Sequence, residues 1–129
     1  MGLTENSPVA FIPTQKPEAA RNFYENTLGL RFESADDFAI VFRLGPEPGI
    51  MLRITPVPDL TPHPFTVLGW HVDDIVASVT ELVAKGVEFV RFGFLEQDKH
   101  AIWSAPGGTK VAWFHDPDGN MLSLSQHPA

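Results

Sequence analysis

Two tetrapeptides, Gly29-Leu30-Arg31-Phe32 and Gly86-Val87-Glu88-Phe89, share the order glycine, aliphatic, charged, phenylalanine and stand 57 residues apart. Each closes a segment with helical spacing. In Pro17–Gly29, residues Ala20, Phe23, Tyr24, Thr27 and Leu28 fall on one helix face. Pro17 suits a first helical turn and Gly29 a left-handed stop. In Asp73–Gly86 the apolar stripe is Ile75, Val79, Leu82 and Val83, with Asp73 or Asp74 able to cap the start and Gly86 to end it. Strand candidates flank both helices: Val9–Pro13, Leu30–Glu33, Phe38–Leu44 and Ile50–Ile54 around the first, and Val67–Val72, Val87–Phe92, Lys110–His115 and Met121–Ser125 around the second. One helix and four strands per repeat predict a duplicated β-α-β-β-β module of the α+β class. Thr55–Pro64 holds four prolines and reads as the join. A single domain over 1–129 is thus expected, with module 1 at about 9–54, a linker at 55–65 and module 2 at about 66–126.

The last hairpin fixes a register. Asp116-Pro117-Asp118-Gly119-Asn120 places proline second in a type I turn and glycine at a left-handed site. That turn sets His115 opposite Met121 and Trp113 opposite Ser123. Those four then share one face, while Phe114, Leu122 and Leu124 share the other, which must pack on a helix. Asp116 and Asp118 resemble a catalytic carboxylate pair, but the turn accounts for both.

Composition removes several function classes. The 129 residues include no cysteine, so disulfides, Fe–S clusters, thiolate zinc sites and cysteine nucleophiles are excluded. Nine basic against sixteen acidic residues give a net charge of −7, and the basic ones are scattered singly. Phosphate binding runs on clustered positive charge, so nucleic acid and anionic membranes are not expected partners. No apolar run approaches the ~20 residues needed to span a bilayer. The segment Met1–Ser7 lacks the regions of a signal peptide, so a cytoplasmic protein is expected. There is no nucleophile elbow, phosphate-cradling loop or dinucleotide fingerprint.

Three motifs then carry a resemblance. Phe23-Tyr24 followed by Leu28-Gly29-Leu30, then Trp70-His71-Val72-Asp73-Asp74-Ile75, then Phe114-His115-Asp116-Pro117-Asp118-Gly119-Asn120 resemble the vicinal oxygen chelate superfamily, which holds glyoxalase I, bleomycin resistance proteins and extradiol dioxygenases. The likeness runs from about Val9 to Gln126. It implies two modules forming a cup-shaped sheet with helices outside and a ligand cavity inside, and commonly a homodimer. In the family's enzymes four side chains hold a divalent metal that substrate oxygens chelate. The positions aligned with those ligands are Val9, Met51, Val67 and Ser123. Valine and methionine offer a hard cation nothing, and a serine hydroxyl replaces a carboxylate poorly. No metal and no cofactor are therefore expected.

Strand parity projects Phe11, Met51, Arg53, His71, Trp113, Met121 and Ser123, with Val9, Val67 and Gly69, into the cavity. That wall is mostly apolar with a few polar handles, the make-up of a small-molecule pocket. Trp113 is placed to stack on a planar ligand and Arg53 to meet an anion. Core filling by Met51, Trp113 and Met121 is the competing reading. The leading expectation is a small-molecule-binding, drug- or metabolite-sequestering protein of the bleomycin-resistance type, with a small apolar or aromatic ligand. The alternative is a glyoxalase- or dioxygenase-like lyase or isomerase. It would use a displaced metal on His71 with His115 or His100, or a metal-free site with His71 as base and Arg53 steadying an enolate. The irregular stretch from Phe92 to Thr109, with Phe94, His100 and Trp103, reads as a lid or subunit contact, or as a loop pinned by its aromatics.

Overall fold

Alternation along a strand gives a sheet two chemically distinct faces, and an amphipathic helix can cover only one of them. The computed structural model describes residues 2–128 and divides into two compact units, Met1–Thr61 and Pro62–Ala129. After a 3₁₀ turn at Gly2–Glu5, the first unit runs β1 (Val9–Thr14), α1 (Pro17–Asn22), β2 (Arg31–Ala35), β3 (Ile40–Leu44) and β4 (Ile50–Pro56). Its sheet order is β1-β4-β3-β2, with β1 and β4 parallel and the other pairs antiparallel. Ile12 and Thr14 of β1, Leu52 and Ile54 of β4, and Phe42 of β3 are buried, as are Ala20 and Tyr24 from the helical segment. The Tyr24 and Phe42 rings lie 6.2 Å apart. Each such buried aromatic contributes roughly 1.5–3 kcal/mol.

The helical pattern expected through Leu28 changes pitch partway. After Asn22 the chain widens into a π-turn over Phe23–Thr27, closed by Leu28 N–H donating to the Phe23 carbonyl at 2.9 Å. The wider turn lets two successive aromatics face the sheet: Tyr24 is buried and Phe23 half-buried, their rings edge to face at 5.3 Å. The first strand group also outruns its expected end. β4 continues through Pro56 because proline needs no donor at its own position, and Val57 N–H resumes the pairing with the Thr14 carbonyl at 2.9 Å.

The second unit runs β5 (Thr66–His71), α2 (Ile75–Ala84), β6 (Trp103–Ser104), β7 (Lys110–His115) and β8 (Met121–Gln126), in the order β5-β8-β7-β6. Asp74 is the N-cap of α2, its carboxylate accepting from Ala77 N–H at 3.1 Å. Gln126 from β8 accepts from Ile75 N–H at 2.8 Å, tying the helix start to the sheet. At the other end Gly86 has φ 95°, and Val87 N–H and Gly86 N–H donate to the Leu82 and Val83 carbonyls. That pair of bonds is a Schellman close. Ile75 and Val79 of α2 are buried, as are Leu122, Leu124, Ala112 and Phe114 of the sheet.

The segment expected as a strand at Val87–Phe92 is not one. Its backbone pairs with β7 through an isolated bridge between Phe89 and Phe114 and a bond from Val90 N–H to the Trp113 carbonyl. The Gln97 side chain takes the neighbouring backbone groups, accepting from Phe92 N–H and donating to the Val90 and Ala101 carbonyls at 2.8–2.9 Å. A glutamine amide thus replaces a ladder partner, and the fourth strand is instead the two-residue β6. The last hairpin has the expected register, His115 opposite Met121 and Trp113 opposite Ser123. Asp116, 5% exposed, accepts from Asp118 N–H, Asn120 N–H and the Asn120 amide, so its carboxylate is consumed by the turn.

Gly86→Ala forces a β-carbon into the left-handed close of α2 and is expected to cost about 1 kcal/mol of unfolding free energy. Urea titration of the two proteins measures the difference, and an unchanged midpoint would contradict it.

Candidate functional site

In each sheet the helix covers one face, and the candidate residues lie on the other, so they sort by unit. On the first sheet β1 and β4 pair in parallel with Val9 beside Met51 and Phe11 beside Arg53. On the other side of β4, Arg43 lies beside Met51 and Val41 beside Arg53. These residues share the face opposite Ile12, Leu52 and Ile54. Val9 and Phe11 are 44% and 64% exposed, and Met51 and Arg53 are half-buried.

The arginines on this face differ in charge balance. Arg43 donates to Glu33 at 2.9 Å and Arg31 pairs with Glu47 at 3.6 Å. Arg53 makes no ion pair or hydrogen bond among the described residues. Its charge is felt by Asp36, in the turn joining β2 to β3. Backbone N–H donation from Phe38, then from Ala39, holds the Asp36 carboxyl below the usual carboxylate range against desolvation, with the Arg53 charge adding the smallest contribution in the same direction.

On the second sheet Gly69, Ser123 and Trp113 form one row across β5, β8 and β7. The next row holds His71, Ser125, Val111 and Trp103. A β-carbon on Gly69 would run into the Ser123 hydroxyl, so the glycine lets that side chain lie over β5. The expected alternation through Val67 is interrupted: the register shifts between Thr66 and Leu68, leaving Val67 as the extra residue of a bulge. Met121 is on the face as expected but 7% exposed, so it fills rather than lines.

Aromatic rings dominate this face. Trp113 is half-buried, with Phe92 edge-on at 5.2 Å and Trp103 tilted by 33° at 6.1 Å. Phe94 extends the row from Phe92 at 5.5 Å and is itself 82% exposed. The sequence puts Phe92 at the end of a strand candidate and the start of an irregular stretch, and Trp103 within that stretch. Their clustering with Phe94 was the available signal, but only the detour imposed by Gln97 and β6 brings them to Trp113.

The histidines do not converge. His71 packs edge-to-face on His127 at 5.0 Å, and His127 Nε2 lies 3.0 Å from the Ser125 hydroxyl. His115 sits in the row of Met121, four residues along β7 from the row of His71, or roughly 13 Å at strand rise. His100 lines a cleft beside α2. Among the described residues no three His, Cys, Asp or Glu side chains are grouped to hold a metal ion. His127 was not singled out by sequence, since it lies one residue past β8.

The family model described as the Glyoxalase/Bleomycin resistance protein/Dioxygenase superfamily matches residues 7–124, and the chain belongs to that superfamily. The chain is similar in structure to a glyoxalase family protein from Bacillus anthracis, with a TM-score of 0.74 at 18% identity, covering 99% of each chain. A superfamily member from Sphaerobacter thermophilus DSM 20745 matches with a TM-score of 0.73 at 21% identity, over 97% of this chain and 99% of that one. A structure named lactoylglutathione lyase from Agrobacterium tumefaciens matches with a TM-score of 0.68 at 17% identity, over 95% and 93%. At such identities the likeness concerns the fold. No curated protein matches the chain in sequence. No helix among the described residues is long and apolar enough to cross a membrane.

Asp36 is expected to titrate below an ordinary aspartate, and Arg53→Gln to move its midpoint upward, as followed by carboxyl carbon chemical shift. Because the carboxylate is bound when folded and free when unfolded, its stabilising effect is full above the ordinary Asp pKa. It fades as pH falls through the lowered value. A midpoint unmoved by Arg53→Gln would remove Arg53 from the neighbourhood of Asp36.

Proposed function

We propose that this chain is a metal-independent binding protein of the bleomycin-resistance type, taking a small planar apolar or aromatic molecule. The observation that carries the proposal is the half-buried aromatic group of Phe92, Trp103 and Trp113 on the open face of the second sheet. Flat rings meet such a group edge-on or offset, each contact adding about 0.5–1.5 kcal/mol beyond area burial. Beside Trp113, the Ser123 hydroxyl offers one hydrogen-bonding group to fix orientation. On the first sheet, the unpaired Arg53 beside the exposed Phe11 makes a separate place where an anionic aromatic group can rest.

The donor chemistry does not fit the divalent metal of the family's enzymes. Val9 and Met51 stand side by side where ligands are implied, without a hard donor between them. Ser123 brings a neutral hydroxyl, and Val67 sits in a bulge. The proposal therefore includes no cofactor and no reaction.

Anilinonaphthalene sulfonate, a planar anionic probe, tests the reading by quenching tryptophan fluorescence as it binds. Trp113→Ala is expected to weaken that binding at least about tenfold, with Trp113→Phe retaining most of it. Equal affinity in wild type and Trp113→Ala would overturn the aromatic site. One tightly held divalent ion per purified chain, by elemental analysis, would overturn metal independence.

A further inference from the structure

We infer that the second unit carries another binding site, on the helix side of its sheet, for a small amphipathic carboxylate. A cleft of about 570 Å³ lies between α2 and residues 87–101, within the range of roughly 300–1,000 Å³ usual for ligand pockets. Its floor is apolar, with Val79, Val83, Phe89 and Ala101 among its lining residues. Val83 is 53% exposed, on a helix whose buried residues are Ile75 and Val79.

The rim has the charge an anion needs. Arg91 and Lys99 both line the cleft, and neither forms an ion pair among the described residues. Glu88 is the carboxylate among the lining residues, so the cleft carries a net positive charge at neutral pH in a chain of net charge −7. Asp98 is not among the lining residues and forms no ion pair with either cation among the described residues. Its Oδ1 accepts from His100 N–H and Ile102 N–H at 2.8 and 3.0 Å, holding the turn that presents Lys99. Arg91 is anchored by one nitrogen, which donates to the Asp98 carbonyl at 2.8 Å, leaving its other donors for a ligand. An apolar floor bounded by two cations selects a short tail ending in a carboxylate, where one class of contact supplies area and the other orientation.

Octanoate is the probe, with octanol and octylamine as tail-matched controls, read by backbone amide shifts of the intact chain. Octanoate is expected to shift amides within residues 79–101 saturably, and both controls to bind at least about tenfold more weakly. Lys99→Gln should weaken octanoate about tenfold, while Val83→Glu, at an exposed position, should abolish binding with the melting transition retained. Lys110→Gln, on β7 and outside the cleft lining, should leave affinity unchanged. Octanol binding as well as octanoate, or Lys99→Gln binding as wild type, would overturn the inference. So would shifts confined to Trp103 and Trp113, or cleft shifts that grow with protein concentration alone and so mark a second copy of the chain. Anilinonaphthalene sulfonate binding is read on a different sheet face, so either site can fail without the other.

Discussion

Parallel pairing of first and last strand governs both units. A parallel pair cannot be joined by a tight turn, so everything between β1 and β4, and between β5 and β8, must serve as a crossover. The helix is the part of that crossover able to bury apolar surface, and it takes the sheet face holding Ile12, Leu52 and Ile54 in one unit and Phe114, Leu122 and Leu124 in the other. Once that face is committed, a strand period of two leaves no freedom about which side chains remain outside. Phe11, Met51 and Arg53 are outside on the first sheet because Leu52 and Ile54 are inside. Trp113 and Ser123 are outside on the second for the same reason.

The open faces then differ through what occupies them. On the first sheet, charge is mostly spent within the sheet, Arg43 on Glu33 and Arg31 on Glu47, and Arg53 is the exception. On the second, the face is aromatic, and its polar groups are hydroxyls, His115 and the paired rings of His71 and His127. No buried side-chain nitrogen or oxygen among the described residues lacks a hydrogen-bond partner. Polar groups inside the units thus serve structure, as Asp116 does in its turn, and chemistry is left to the faces.

The features readable from sequence were those set by local periodicity. The stripe Ile75, Val79, Leu82, the glycine at position 86 and the Asp-Pro-Asp-Gly-Asn turn each encode their geometry within a few residues. The hairpin register followed from its turn, and with it the face of Trp113. What escaped was set by contacts distant along the chain or by irregularity. Val87–Phe92 has strand composition, but a glutamine beyond it takes its backbone partners. The bulge at Val67 and the π-turn after Asn22 each insert a residue that no two-fold or 3.6-fold pattern announces. The aromatic group was half visible for that reason: Trp113 was placed by register, whereas Phe92 and Trp103 depend on the path of an irregular segment.

That path has a consequence for how the molecule breathes. Between Phe92 and the buried Ala101 and Ile102, the chain is held by the amide of Gln97, the carboxylate of Asp98 and one bridge to Trp103, rather than by a cooperative ladder. A stretch held by side-chain bonds instead of a ladder is the kind of segment that opens locally, at a fraction of the free energy required to unzip paired strands. Under the proposed function, such local opening would let the aromatic group admit its ligand while every central strand stays paired.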